Sequence, residues 1–246
     1  AEVMARFFGM KNQPFVVSNA CISGVVGMLL ARRLISGGQD DHAIVLGADM
    51  ISKFIVSGFQ SFLSLSELPC RPFNKERDGL TLGEAAGTVI VSRQYGNVEL
   101  VRGAISNDAN HISGPSRTGE GLLLSIRNTM KPGDLVDIIS AHGTATVYND
   151  EMESKAISRA GLEAIPVNSL KGYFGHSLGA AGIVESIINI EAMKKGVLVA
   201  TKGFSSHGVT GNINVVDKVT HGNIQSVLKI ASGFGGCNAA VLFRKC

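Results

Sequence analysis

Only six prolines and four cysteines occur among the 246 residues. Scarce proline, with 45% apolar and 17% charged residues, excludes a disordered or linker-like chain and indicates a well-packed globular protein. Cys21, Cys70, Cys237 and Cys246 show neither CxxC spacing nor the density of a small disulfide scaffold, so they are expected to be free thiols in a reducing cytoplasm. No apolar run reaches the roughly 18 residues of a membrane span, and no charged segment followed by an apolar one marks a secretory leader. Basic residues are scattered and the formal charge is only +3, which argues against a nucleic-acid footprint. Zinc and EF-hand spacings, glycine-rich phosphate loops and the GxSxG elbow are also missing, and neither metal nor cofactor is expected.

What the chain does have is glycine, 30 residues, many beside polar residues between apolar runs, where turns and close backbone approaches form. The runs "PFVV", "AIVLGA", "GTVIVS", "VELVRGAI", "VDIISA", "AIPVNS", "IQSVLKIAS" and "AAVLF" fit buried strands. Helix-period segments lie between several of them, at Gly24–Ser36, Glu120–Met130, Asp150–Ala160 and Leu178–Lys195. This alternation predicts an α/β protein. The segments starting at Gly24 and Leu178 are apolar nearly all round, which requires burial on most sides, although Glu185, Ser186, Asn189 and Glu191 interrupt the second. "GVVGML" at Gly24–Leu29 also matches "GAAGIV" at Gly179–Val184, and the same offset puts His176 at the counterpart of Cys21. Two related halves would meet in the polar, turn-rich segment Ser92–Leu100.

Four stretches could carry chemistry. Cys21 sits where a strand-like run gives way to a buried helix, whose dipole would lower the thiol pKa from about 8.5 and favour the thiolate; a small buried packing residue is the alternative. His142 follows the strand-like "VDIISA", placed to face a pocket at the carboxyl end of a parallel strand. Asp150 and Glu153 come next, as helix caps or as site acids. Lys171 and His176 share a glycine-punctuated loop leading into the second buried helix, so both should point inward, and the lysine needs a partner, for which Glu153 is the candidate. In "SGFGGCNAAVLF", Gly233, Gly235 and Gly236 allow either a plain hairpin turn or a backbone turn whose Phe234 N–H stabilises an oxyanion.

Together, "NACISG", "CRPFNKERDGLTLGEAAG", "SAHGTATVYNDEMES", "NSLKGYFGHSLGAAG" and "SGFGGCNAAVLF" resemble, in order, the motifs of the β-ketoacyl-acyl carrier protein synthases, elongating ketosynthases of the thiolase superfamily. The resemblance implies a thiolase-like layered αβαβα fold, two similar halves with two buried central helices: residues 1–95 the remainder of the half carrying the nucleophile, 96–246 the half carrying the His and Lys loops. It also implies that part of the family's N-terminal region lies outside this sequence. Cys21 would hold an acyl chain as a thioester, and His142 and His176 would promote decarboxylation of the malonyl unit. Lys171 paired with Glu153 would maintain the site's electrostatics, and Phe234 would gate the acyl pocket, its N–H joining that of Cys21 in the oxyanion hole.

The implied reaction is decarboxylative Claisen condensation in fatty acid or polyketide-like synthesis. The alternative is a chain-length-factor-like or non-catalytic partner subunit. Acyl carrier protein and a second subunit, in a homodimer or a ketosynthase heterodimer, are the expected partners, with Arg71, Lys75 and Lys202 the candidates for docking the acidic carrier. Asn149 stands where the family motif often has Gly, and Cys237 where it has Thr; neither change removes a reacting group. The stretch "LVATKGFSSHGVTGNINVV" is unlike the proline-containing one usual there.

Overall fold

The computed structural model describes residues 1–94 and 96–246. Its elements are α1 (Glu2–Phe7), α2 (Ser23–Ser36), β1 (His42–Asp49), α3 (Lys53–Ser61), β2 (Ala85–Ser92), β3 (Val98–Asn107), α4 (Glu120–Thr129), β4 (Ile138–Ser140), α5 (Val147–Arg159), β5 (Pro166–Asn168), α6 (Lys171–Phe174), α7 (Ala181–Lys195), β6 (Val197–Leu198), β7 (Asn214–Val215), β8 (Thr220–His221), β9 (Ser226–Gly233) and β10 (Cys237–Lys245). The main sheet has the order β3-β10-β9-β4-β5-β7, antiparallel from β3 to β9 and parallel from β9 to β7. β1 and β2 form a separate antiparallel ribbon, as do β6 and β8.

The two nearly all-apolar helices, α2 and α7, lie side by side between the β1–β2 ribbon and the main sheet, and α4 and α5 cover the sheet's other face. Burial from both sides explains why neither central helix needs a polar face. Their crossing depends on glycine. A Cβ on Gly24 would lie 2.8 Å from the Ile183 nitrogen, and one on Gly182 would lie 2.9 Å from the Val25 nitrogen. The core is continuous on both sides of the sheet: Val25, Met28 and Leu29 pack with Val227, Ala239 and Val241, while Leu122, Leu123 and Ile157 pack with Leu228, Ile230 and Leu242.

This is the thiolase-like layering, with ribbon, helices, sheet and helices in order. The expected outer helical layer over the ribbon does not occur among the described residues, and Leu46 and Ile90 of the ribbon face outward, 40% and 70% exposed. The run "PFVV" is not a strand: no described strand pairs with it, and Phe15 and Val16 are 67% and 76% exposed. The other seven apolar runs lie in β1, β2, β3, β4, β5, β9 and β10. The boundary segment Ser92–Leu100 includes Tyr95, which lies outside the described residues.

Candidate active site

Cys21 stands two residues before α2, on a turn in which Ala20 takes a positive φ of 45°. That conformation costs a residue with a Cβ about 1 kcal/mol, and Ser23 holds it in place. Its hydroxyl donates to Ala20 O at 2.6 Å and accepts from the Asn19 N–H at 2.7 Å. The end of β9 abuts the same turn, since a Cβ on Gly233 would lie 3.1 Å from the Cys21 nitrogen. The backbone N–H groups of Phe234 and Cys21 lie on the sulfur's side of the turn and favour its thiolate form. The glycine cluster is therefore a hairpin connection between β9 and β10 and also a wall of the site. The half-buried Phe234 ring packs against Phe59 and Phe62, each at 5.3 Å between centroids.

His176 is pinned through its backbone: its N–H donates to Thr81 O at 2.7 Å, and its carbonyl accepts from the Gly83 N–H at 3.0 Å. Its Nε2 lies 3.1 Å from Cys21 Sγ, 155 residues away in sequence, so the two residues related by the sequence offset meet. The His142 ring packs edge-on against that of His176, centroids 5.0 Å apart at 83°.

The segment carrying His142 is held from both sides by buried charge. Glu153 accepts the His142 and Gly143 N–H groups at 2.7 and 2.6 Å. Asp150 accepts those of Thr144 and Ala145 at 2.9 and 3.2 Å and that of Phe73 at 2.7 Å, which ties the 70–82 segment to the site. Lys171 donates to the His142 carbonyl at 2.5 Å, and its ammonium stands 3.3 Å from His142 Nδ1. An ammonium there makes Nδ1 the acceptor and leaves the proton on Nε2. The buried His176 Nδ1 has no partner among the described residues, so only the Cys21 thiol at Nε2 bears on that ring's tautomer.

Two expectations need correction. Lys171 forms its ion pair with Glu185, at 2.5 Å, and not with Glu153, because the Glu153 carboxylate is taken up by backbone N–H groups and Asn149. The Cys21 thiol is not pushed toward thiolate: burial raises it to about 11, against the lowering influence of Lys171 and the two N–H groups. Desolvation of the buried sulfur outweighs the helix terminus. Both imidazoles are held well below 6.5 by burial and by the positive charge of Lys171 and Lys229, so they are neutral. Burial, with Asp150 nearby, raises Glu153 to about 7.

Sequence reasoning missed Lys229 as a site residue and saw Glu185 only as a polar interruption of an apolar helix. In hindsight the signal was a single charged residue within an otherwise apolar run, in "SVLKIAS" and in "GIVESII". Of the docking candidates, Arg71 is engaged by Glu76 and Asp78 within its own loop, and Lys75 is exposed. Lys202 lies over the Tyr173 ring on the rim of an open cleft of about 540 Å³ that Cys70 and Thr81 also line. Cys21 Sγ and one nitrogen from each histidine lie within 4.8 Å of one another, a donor set suited to a soft cation. The two ammonium groups beside it disfavour one electrostatically.

Residues 1–96 match the family model described as beta-ketoacyl synthase, N-terminal domain, and residues 98–205 match the C-terminal domain of the same family. The chain is 29% identical over 263 residues to 3-oxoacyl-[acyl-carrier-protein] synthase 2 of Vibrio cholerae, covering 96% of the chain and 63% of the relative. It is 31% identical to the polyketide biosynthesis malonyl-ACP decarboxylase PksF of Bacillus subtilis, covering 95% of the chain and 61% of the relative. Among solved structures, the ketosynthase ApeO in complex with its chain length factor ApeC, from Xenorhabdus doucetiae, superposes with a TM-score of 0.92 at 31% identity, over 100% of this chain and 63% of that one. The chain thus spans less than two thirds of the length of these relatives.

Proposed function

The chain belongs to the beta-ketoacyl synthase family, and from that premise we propose that Cys21, His142 and His176 form a condensing active site. The reaction is decarboxylative Claisen condensation of a malonyl-acyl carrier protein with an acyl chain held on Cys21. The observation that carries this reading is the 3.1 Å approach of Cys21 Sγ to His176 Nε2, beside a second neutral imidazole. In this reading residues 1–95 are the remainder of the nucleophile half and 96–246 the histidine half.

In the first step Cys21 attacks the acyl thioester carbonyl and its proton passes to His176 Nε2. A resting thiol, not a thiolate, requires this transfer to accompany attack. The tetrahedral oxyanion sits against the Cys21 and Phe234 N–H groups. The carrier's C–S bond then breaks, and its departing thiolate takes up the proton. In the second step the malonyl thioester oxygen accepts from His142 Nε2–H and His176 Nε2–H. The bond to the carboxylate breaks, carbon dioxide leaves, and the electron pair forms an enolate whose carbon attacks the acyl group on Cys21. The C–S bond opens, and the Cys21 thiolate takes up the one proton the overall reaction consumes, from solvent. His142, fixed by Lys171, serves as a donor only. His176 must accept in one step and donate in the next, which its unpartnered Nδ1 permits.

Incubation with acyl carrier protein thioesters, followed by peptide mass spectrometry, should give an acyl adduct on Cys21. No adduct on a folded sample rejects the reading. Cys21→Gln should abolish condensation and retain malonyl decarboxylation; loss of both means the histidines are misassigned. A partner subunit of a ketosynthase pair is the second reading, favoured by the exposed apolar residues Phe15, Val16 and Ile90. As a chain-length-factor-like or non-catalytic subunit, the chain would take no acyl adduct on Cys21 even when the other subunit is present.

A further inference from the structure

Lys229 is the buried charge that this reaction scheme leaves unused. It stands in the middle of β9, fully buried. Its ammonium donates to the Ala141 carbonyl at 3.0 Å, reaches the Ser140 carbonyl at 3.4 Å, and ion-pairs with Glu185 Oε2. Lys171 takes the next carbonyl, that of His142, and the other oxygen of Glu185. Three successive carbonyls at the end of β4 are thus held by two ammonium groups sharing one carboxylate. The two lysines share this one carboxylate, and burial lowers the Lys229 ammonium from its ordinary value against the opposing pull of Glu185. A strand gains no stability from such a group that a well-packed apolar residue would not also give, so its use lies in the site.

We propose that Lys229 is a positioning residue for the histidine pair: through Glu185 it holds Lys171 against His142 Nδ1. The charged and titratable groups around the rings are Lys171 from α6, Glu185 from α7, Lys229 from β9, Asp150 and Glu153 from α5, and Arg77 from the 70–82 segment, with Cys21 and Asp49 on the side of α2 and β1. Of these, Lys171 and Lys229 act on both rings against the imidazolium. Only the effect on rate rests on the condensing reading; the effect on ring titration does not.

The test is histidine NMR titration between about pH 4.5 and 8 on the parent chain and on K229M and K229Q, with His207 and His221 as internal references, alongside malonyl decarboxylation over the same range. The parent's His142 and His176 should remain neutral down to the acid end. In folded K229M or K229Q at least one ring should titrate about one pH unit or more higher. The acid limb of decarboxylation should move the same way. Identical titration in the parent and a folded variant overturns the proposal, and so does a parent ring titrating at its ordinary value. If neither variant folds, the parent titration decides. The expected titration shift, with no decarboxylation by any of the proteins, would instead count against the condensing function.

Discussion

At the scale of single residues, the site contradicts the usual expectation that a cysteine at a helix start is a ready thiolate. With burial holding Cys21 up near 11, its alkylation by iodoacetamide should accelerate with pH through the whole range below about 10 and show no plateau. Peptide mass spectrometry against pH checks this; a plateau near pH 7 would mean that a thiolate–imidazolium pair exists at rest. Glu153 gives a second test. Its carboxyl titrates near 7 in the fold and near 4.3 unfolded, so the native state binds the extra proton between those values. Stability contributed by this group is therefore lost as pH rises from about 4.5 to 7, by about 3 kcal/mol if uncoupled. The depressed histidines act in the opposite direction below 6.5, so the comparison must be by difference. E153Q gives up one of two acceptors for the His142 and Gly143 N–H groups and should be less stable than the parent near pH 5. That deficit should shrink or reverse by pH 8, as read by thermal melting; a constant deficit would place the Glu153 titration outside the range.

At the scale of elements, what the sequence made legible was whatever depends on periodicity. α2, α4, α5 and α7 and seven of the apolar runs follow from local pattern. Among them the two central helices stood out because a helix without a polar face has only one kind of place to go. What local pattern could not supply was partnership. "PFVV" has a strand's composition and no described strand beside it, so Phe15 and Val16 face solvent. Lys171 needed a carboxylate, and the nearest in sequence, Glu153, yields to Glu185 across the helix layer, because the N–H groups at the end of β4 claim Glu153 first. Cys21, His142 and His176 were legible as candidates, but their 3.1 and 5.0 Å contacts depend on the crossing of α2 and α7. That crossing is testable. Gly24→Ala gains helix propensity of up to about 1 kcal/mol and drives a methyl into the Ile183 backbone nitrogen and Gly179 oxygen. Overpacking should win, with a net loss of about 1–3 kcal/mol in urea unfolding. The same displacement should slow acylation of Cys21, and unchanged stability would show that the helices can separate freely.

At the scale of the whole molecule, the chain has a modest surplus of positive charge, +3, and in the proposed reaction it is local charge that would guide the acidic carrier protein. Three basic residues were candidates, and their surroundings now separate them. Arg71 spends its guanidinium on Glu76 and Asp78, so its replacement should loosen the 70–82 segment and, through Phe73 and Asp150, the site itself. Lys202 has no carboxylate partner among the described residues and stands over Tyr173 on the rim of the open cleft. Reversing that charge changes the long-range attraction and leaves the buried reacting groups untouched. Lys202→Glu should therefore raise the KM for acyl carrier substrates about three- to tenfold at low salt, with the difference fading as ionic strength rises and the Debye length falls below about 8 Å. Alkylation of Cys21 by iodoacetamide, which needs no carrier, should proceed at the parent rate. Equal KM values for variant and parent at low salt would exclude this rim as the docking face, and slower alkylation would show that Lys202 shapes the site rather than its approach.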